Sequence, residues 1–150
     1  MPTARFERTL DVNSSAEDTW KVLTDVQRVG GWVSVVGAVE EIEPLATYKT
    51  TLTDRLGPFR LHADLDVKVV ELEEGRRIRL RAEGRDRQVG THLSVDAELT
   101  LLTEDGRTRI AVSGSYSVVG SVAAMGAGTI RKKADTIIEE FFTAAADALS

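Results

Sequence analysis

The sequence predicts an α+β fold: a strongly curved antiparallel sheet of about seven strands gripping one long C-terminal helix, in the order β-α-α, six further strands, α. Three observations predict it. Between Val122 and Leu149, Ile130, Ala134, Ile137, Ile138, Phe141, Phe142, Ala145 and Leu149 recur at three- and four-residue steps, while Arg131, Lys132, Asp135, Glu139, Glu140 and Asp147 fill the opposite side. That is one apolar face of a long helix. From Ala38 to Val118 the apolar residues alternate one by one instead, the period of half-buried strands. Placing Asp105-Gly106 at a hairpin tip pairs Leu101 with Ile110, Leu99 with Val112 and Ala97 with Gly114, so inner residues meet inner residues along its whole length.

The elements follow in order. Phe6, Leu10 and Val12 share one side of a first strand over Ala4 to Val12, and Arg8 on that side reads as an edge residue or a snorkelling one. Ser14 with Glu17 fits a capping box, with Ser15 and Asp18 as a second register, ahead of a helix from about Ala16 to Asp25 that carries Trp20 and Leu23 on one face. Val26 to Trp32 predicts a second short helix broken at Gly30-Gly31, and Trp32, following those glycines, is a candidate gate. Val39 to Ile42 is a short strand, and Tyr48, Thr50 and Leu52 alternate in the next. After a turn at Gly57-Pro58, Phe59, Leu61, Ala63, Leu65, Val67 and Val69 form a long alternation whose parity shifts at Val70, which predicts a bulge. Ile78, Leu80 and Ala82 follow the Glu74-Gly75 turn, then Thr91, Leu93, Val95, Ala97, Leu99 and Leu101, and Tyr116 and Val118 end the inner face. Ser121 is the expected N-cap of the closing helix. Outward-facing Arg77, Arg79, Arg81, Arg85 and Arg87 read as a cross-strand charge ladder, with Arg79 opposite Asp96 and Arg77 opposite Glu98.

Composition bounds the function. Residues 1–150 have the length of one domain with a full-sized core. A net charge of -5 argues against a dedicated nucleic-acid binder, which needs clustered Lys and Arg for phosphates. The absence of Cys excludes disulfides and thiolate metal sites, and the two His show no ligand spacing. With no signal core and no apolar run long enough for a span, a soluble cytoplasmic protein is expected.

The inner face carries small residues: Ala63, Ala82, Gly84, Thr91, Ala97, Gly114 and, on the helix, Ala134. A curved sheet covered by one helix encloses more volume than such side chains fill, and an empty void costs about 24 cal/mol per Å³. An apolar ligand chamber is therefore expected. Its candidate lining is Trp32, Tyr48, Leu65, Val67, Leu80, Ala82, Leu93, Val95, Ala97, Val112, Gly114, Tyr116, Met125, Ile130, Ala134, Ile137, Ile138 and Phe141. Acidic residues fall almost entirely on the outer parity, as do His62 and His92, so no inward acid, base and nucleophile set is expected. Tyr48, Thr50, Thr91 and Tyr116 are the polar groups left inside; each tyrosine is either a core aromatic with a satisfied hydroxyl or a hydrogen-bond partner for a ligand carbonyl. The Gly120 to Gly128 stretch lacks the Lys of a P-loop and the spacing of a dinucleotide fingerprint. It reads as a close approach of helix to sheet, a bend, or a deformable mouth to the chamber with Met125 in its lining.

The run Tyr48 to Leu99, with Leu56-Gly57-Pro58 and a Glu83-Gly84-Arg85-Asp86 turn, resembles the CoxG family of carbon monoxide dehydrogenase subunits. So do Val119-Gly120-Ser121-Val122-Ala123-Ala124-Met125-Gly126 and the Phe141-Phe142 end of the helix, while Gly37-Ala38-Val39-Glu40 stands where the family has Pro-Gly-Val-Glu. The resemblance implies a START-like (SRPBCC, Bet v 1-like) helix-grip fold whose cavity takes lipids, sterols, polyketides or other hydrophobic molecules. It further implies service to a molybdenum hydroxylase of the carbon monoxide dehydrogenase type, as a quinone carrier or a membrane-recruitment factor. Family members often continue into a linker and a hydrophobic anchor; for the 150 residues here, contact with the inner face of the cell membrane is expected to be peripheral. The expectation is a non-enzymatic protein without cofactor that binds a quinone or other lipid. Its rivals are a polyketide cyclase-like enzyme in which Tyr48 or Tyr116 polarises a carbonyl, and an assembly or anchoring factor acting through its outer arginine face.

Overall fold

The computed structural model describes residues 3–149 apart from Gly57, Arg87 and Val89. Gly57 in its expected turn, Arg87 in the arginine row and the side chains of Leu56 and Phe59 lie outside the described residues. The two sequence periods become the two layers. Strand β1 (Thr3–Val12) leads into short helices α1 (Ala16–Leu23) and α2 (Val26–Gly30). The meander follows as β2 (Glu40–Glu43), β3 (Thr47–Leu56), β4 (Phe59–Glu73), β5 (Arg77–Asp86), β6 (Thr91–Glu104) and β7 (Arg107–Gly120), and helix α3 (Ala127–Ala148) closes the chain. The seven strands form one antiparallel sheet in the order β1-β7-β6-β5-β4-β3-β2, so the first strand pairs with the last and each other neighbour is joined by a hairpin.

Register follows side-chain parity. Leu101 faces Ile110, Leu99 faces Val112 and Ala97 faces Gly114, as the Asp105-Gly106 tip requires. The bulge falls between Val69 and Glu71 and leaves Val70 47% exposed, the cost of re-aiming the strand. The arginine ladder exists, but two residues out of the expected register. Arg79 faces Glu98 and Arg81 faces Asp96 at 3.2 Å, while Arg77 sits opposite Thr100 and reaches Glu98 diagonally at 3.4 Å. The Glu83 to Asp86 segment is the reason: it continues β5 rather than turning, so the chain reverses only after Asp86. Arg8 stands on an edge strand and reaches Asp135 of α3 at 3.7 Å.

The helix ends differ from expectation in instructive ways. The Ser15 hydroxyl accepts the Asp18 amide at 3.1 Å and so caps α1. Ser14 instead donates its hydroxyl and its amide to the Leu149 carbonyl at 3.0 and 3.3 Å. An end-of-helix carbonyl without an intrahelical partner thereby gains two donors from the start of the chain. Ser121 does not cap the closing helix. Ser121–Met125 is a 3-10 turn that ends at Gly126, with φ +94°, and α3 begins only at Ala127. Gly126 tolerates that φ where a side chain would be strained, which lets the short turn and α3 run in different directions. The turn is fixed by Val122, fully buried, whose amide donates to Thr91 Oγ1 at 3.2 Å.

Two inner-face glycines prove to be filled positions. The Phe6 ring lies across Gly114, where an added Cβ would overlap the Asp96 carbonyl oxygen and come 2.8 Å from Phe6 Cζ. Gly84 is covered in the same way by Leu65 and the Asp64 backbone. Because a backbone oxygen cannot yield as a side chain does, Gly114→Ala is expected to lower stability by about 1–3 kcal/mol in urea denaturation. Gly106→Asn at the hairpin tip, where no atom crowds the position, should cost much less.

Candidate functional site

Among the described residues, most buried apolar side chains fall into two separate clusters, one at each end of the sheet. The first joins Val12, Trp20, Leu23, Ile78, Leu101, Ile110 and Leu149, with Leu10, Val69, Leu99, Val112 and Trp32 packed on it. The second joins Leu61, Val118, Val122 and Ile130, with Leu52, Leu93 and Tyr116 packed on it. The inner face does not stop between them. Val67, Ala82, Val95 and Tyr116 form one row across β4 to β7, and Leu80, Ala97 and Gly114 form the next. All of these stay only partly buried, as does Leu65.

Helix α3 shows the same division. Ile130 is buried at its start, and Ala145 and Leu149 at its end. Ala134, Ile137, Ile138 and Phe141, on the apolar face between, remain half-buried. The helix is thus fully buried near both ends and only partly buried in its middle. Polar contacts tether its two sides. Asp135 reaches Arg8 of β1, and Lys133 reaches Asp54 of β3 at 3.1 Å. Farther along, the Glu140 carboxylate accepts both the amide and, at 3.0 Å, the hydroxyl of Ser34.

Ser34 belongs to the stretch between α2 and β2, which closes the side of the space next to β3. Val36 bridges to Leu52, the Gly37 amide donates to the Thr51 carbonyl at 2.9 Å, and the Thr53 amide donates to the Val35 carbonyl at 2.8 Å. Trp32 at its start packs on Phe141, ring centroids 5.5 Å apart, and Phe141 meets Phe142 edge-on at 5.3 Å. The stretch is therefore a flap, hinged on β3 and hooked to α3 by an aromatic contact and a carboxylate. Met125 lies partly buried in the 3-10 turn at the other end of α3.

The polar groups inside divide by how their atoms are used. Tyr48 is 1% exposed, and its hydroxyl oxygen accepts the Leu45 amide at 2.8 Å, holding a turn residue at φ +52°. It belongs to the wall. Tyr116 faces the open belt, and burial pushes its hydroxyl above the ordinary tyrosine range; Arg131 draws it down and Asp135 pushes it up. Thr50 donates to the Gly37 carbonyl at 3.0 Å and so belongs to the flap hinge. Two carboxylates on the inner parity are an addition to the sequence reading. Asp54, its side chain 12% exposed, is neutralised by Lys133. Asp86, 4% exposed, accepts the His62 amide at 2.6 Å and the Gln88 amide at 2.9 Å, pinning the β5–β6 turn. Asp54 was legible as the next even step after Tyr48, Thr50 and Leu52. The Ser34–Glu140 hook was not, because nothing local links residues so far apart.

Outside, two polar hollows open at the sheet's other surface. One of about 530 Å³ lies among Asp11, Glu104, Asp105, Arg107 and Arg109, where the Arg109 guanidinium hydrogen-bonds Asp11 at 2.7 Å and holds that carboxyl below the usual range. The other, about 480 Å³, runs along Arg5, Glu7, Asp96 and Glu98 behind Phe6, Ala97 and Gly114. Among the described residues no group of three or more His, Asp or Glu could hold a metal ion, and no helix is long and apolar enough to cross a membrane.

The electrostatic setting of Tyr116 gives a signed expectation. In NMR titrations of ring-labelled tyrosine, Tyr116 should lose its proton above the ordinary tyrosine midpoint. Arg131→Gln should move that midpoint further up, and Asp135→Asn should move it down. For the flap, Glu140→Ala should raise hydrogen exchange at the Gly37 and Thr53 amides about tenfold while leaving the β6–β7 hairpin unchanged.

Solved structures of the same shape are widespread. A conserved protein from Geobacillus kaustophilus superposes with a TM-score of 0.82 at 19% identity, over 97% of this chain and 95% of that one. A START superfamily protein from Mycobacterium smegmatis gives 0.65 at 11% identity, over 97% and 99%. The Zhui aromatase/cyclase from Streptomyces sp. R1128 gives 0.65 at 19% identity, over 98% and 91%. At such identities the likeness establishes the START-like fold and nothing finer. Among curated protein sequences nothing matches. A family model does match, over residues 9–150, and by it the chain belongs to the CoxG family of carbon monoxide dehydrogenase subunits.

Proposed function

We propose that this protein is a non-catalytic carrier that holds a long apolar molecule, a quinone or another isoprenoid or acyl lipid, between the sheet and α3. In this reading it serves a molybdenum hydroxylase of the carbon monoxide dehydrogenase type and meets the inner face of the cell membrane peripherally. One observation carries the binding claim: the apolar belt between two buried clusters, where inner-face side chains of the sheet and the middle of α3 stay partly exposed although both ends are closed. Apolar surface left open inside a fold costs ~25 cal/mol per Å², and a lipophilic guest recovers that free energy. Membership of the CoxG family supports the partner, since that family takes its name from carbon monoxide dehydrogenase.

The flap gives the guest a route. Its hook to α3 consists of one ring contact and one carboxylate, contacts of modest strength, and only Trp32 also touches a buried cluster. Tyr116 is the polar group placed to meet a carbonyl on the guest. Its hydroxyl, protonated near neutral pH like any tyrosine's, titrates higher still because of burial.

The second reading, a cyclase-like enzyme, is favoured by one specific pair of facts: the shared fold with an aromatase/cyclase and a tyrosine hydroxyl inside the belt. Against it, the inward carboxylates Asp54 and Asp86 are both committed to protein partners. One set of measurements separates the two. Organic extraction of the purified protein should yield a quinone or other lipid by mass spectrometry. Ala97→Phe should abolish binding of added decylubiquinone while the circular-dichroism melt stays cooperative. Unimpaired binding by that folded variant sinks the carrier model. Turnover of an aromatic polyketide that vanishes in Tyr116→Phe establishes the enzyme instead.

A further inference from the structure

We infer that the chamber is closed at both ends and measures its guest, enclosing an alkyl or prenyl chain of about twelve to sixteen carbons and leaving any longer tail outside. The inference rests on the carrier reading above and adds a limit on the ligand class. Three independent rulers give the length. Along α3, the buried plugs Ile130 and Ala145 are fifteen residues apart, ~22 Å of helix. Along β6, Leu93 packs on one cluster and Leu99 on the other, six residues or ~20 Å of strand. Along β7, Tyr116 and Val112 stand in the same relation across four residues, ~14 Å. Taken together, the three lengths put the space between the plugs at ~15–20 Å. An extended carbon chain advances ~1.25 Å per bond, from a C–C length of ~1.52 Å and near-tetrahedral angles, which sets the carbon count.

Neither end yields easily. One plug contains Val122 and the other Leu149, each essentially without exposure, and Leu149 is further held by the two hydrogen bonds from Ser14. The side does yield. The Lys133–Asp54 pair and the Ser34–Glu140 hook both fasten α3 on its β3 side, seven residues or ~10 Å apart, with half-buried Ile137 between them. A surplus tail therefore leaves sideways through that gap, not through an end.

The test is a chain-length series. Saturated fatty acids of eight to twenty-two carbons, kept below micelle formation, compete with bound 1-anilinonaphthalene-8-sulfonate on the intact protein. Affinity should climb by up to about fourfold per methylene and then level off between twelve and sixteen carbons. Ile130→Ala removes a plug and should shift the break to longer chains. Ala134→Leu lengthens the plug at Ile130 by one helical turn and should shift the break to shorter ones, which keeps the test decisive if the first variant unfolds. A climb that continues unbroken to twenty-two carbons overturns the closed chamber while leaving the carrier reading intact, and so does a break that neither folded variant moves. Failure of every chain, and of decylubiquinone, to bind overturns the carrier reading itself.

Discussion

Helix α3 lays one apolar face across the sheet but is fully buried only near its two ends, and the rest of the structure answers to that division. Burial fixes the ends, at Ile130 and at Ala145 with Leu149. Each fully buried Leu or Ile is worth roughly 1.5–3 kcal/mol, more than any of the polar tethers at the middle. The ends therefore set the position of the helix. The Arg8–Asp135, Lys133–Asp54 and Ser34–Glu140 contacts then set its roll and its height above the sheet. A single core filling the whole interior would have needed large side chains where the sequence has Ala82 and Ala97.

How much of this could be read beforehand depends on whether the information is local. Parity is local, so the inner face, the Val70 bulge and the β6–β7 register were legible from alternation and one Asp-Gly turn. The β5–β6 register was not, because its turn chemistry lies in polar residues that gave no tip; the ladder consequently pairs Arg81 rather than Arg79 with Asp96. Capping was ambiguous for a similar reason. Ser14 and Ser15 offer the same hydroxyl to α1, and the choice was made by the Leu149 carbonyl, a group 135 residues away.

The small residues of the inner face are not all small for the same reason. Gly84 and Gly114 are small because Leu65 and Phe6 lie across them, so they add no free volume. Tyr48 likewise fills its place with its hydroxyl engaged. Ala82, Ala97 and Ala134, by contrast, stay partly exposed although parity places them inside. Periodicity identifies which side chains face inward; it does not say how close the opposing layer comes, since that depends on where the helix is anchored.

Reactive chemistry needs groups whose protonation and lone pairs are at the disposal of a substrate. Here the inward carboxylates are occupied. Asp86 spends both oxygens on backbone amides, which fixes a turn, and Asp54 pairs with Lys133 at the edge of the helix. Tyr116, on the same inner face, is shifted away from neutrality rather than toward it. A phenol that titrates that high stays protonated near neutral pH, so it can donate a hydrogen bond but supplies no phenolate to act as a base. The charged groups on the inner face are thus paired with protein partners, while the rows through Ala82 and Ala97 are apolar.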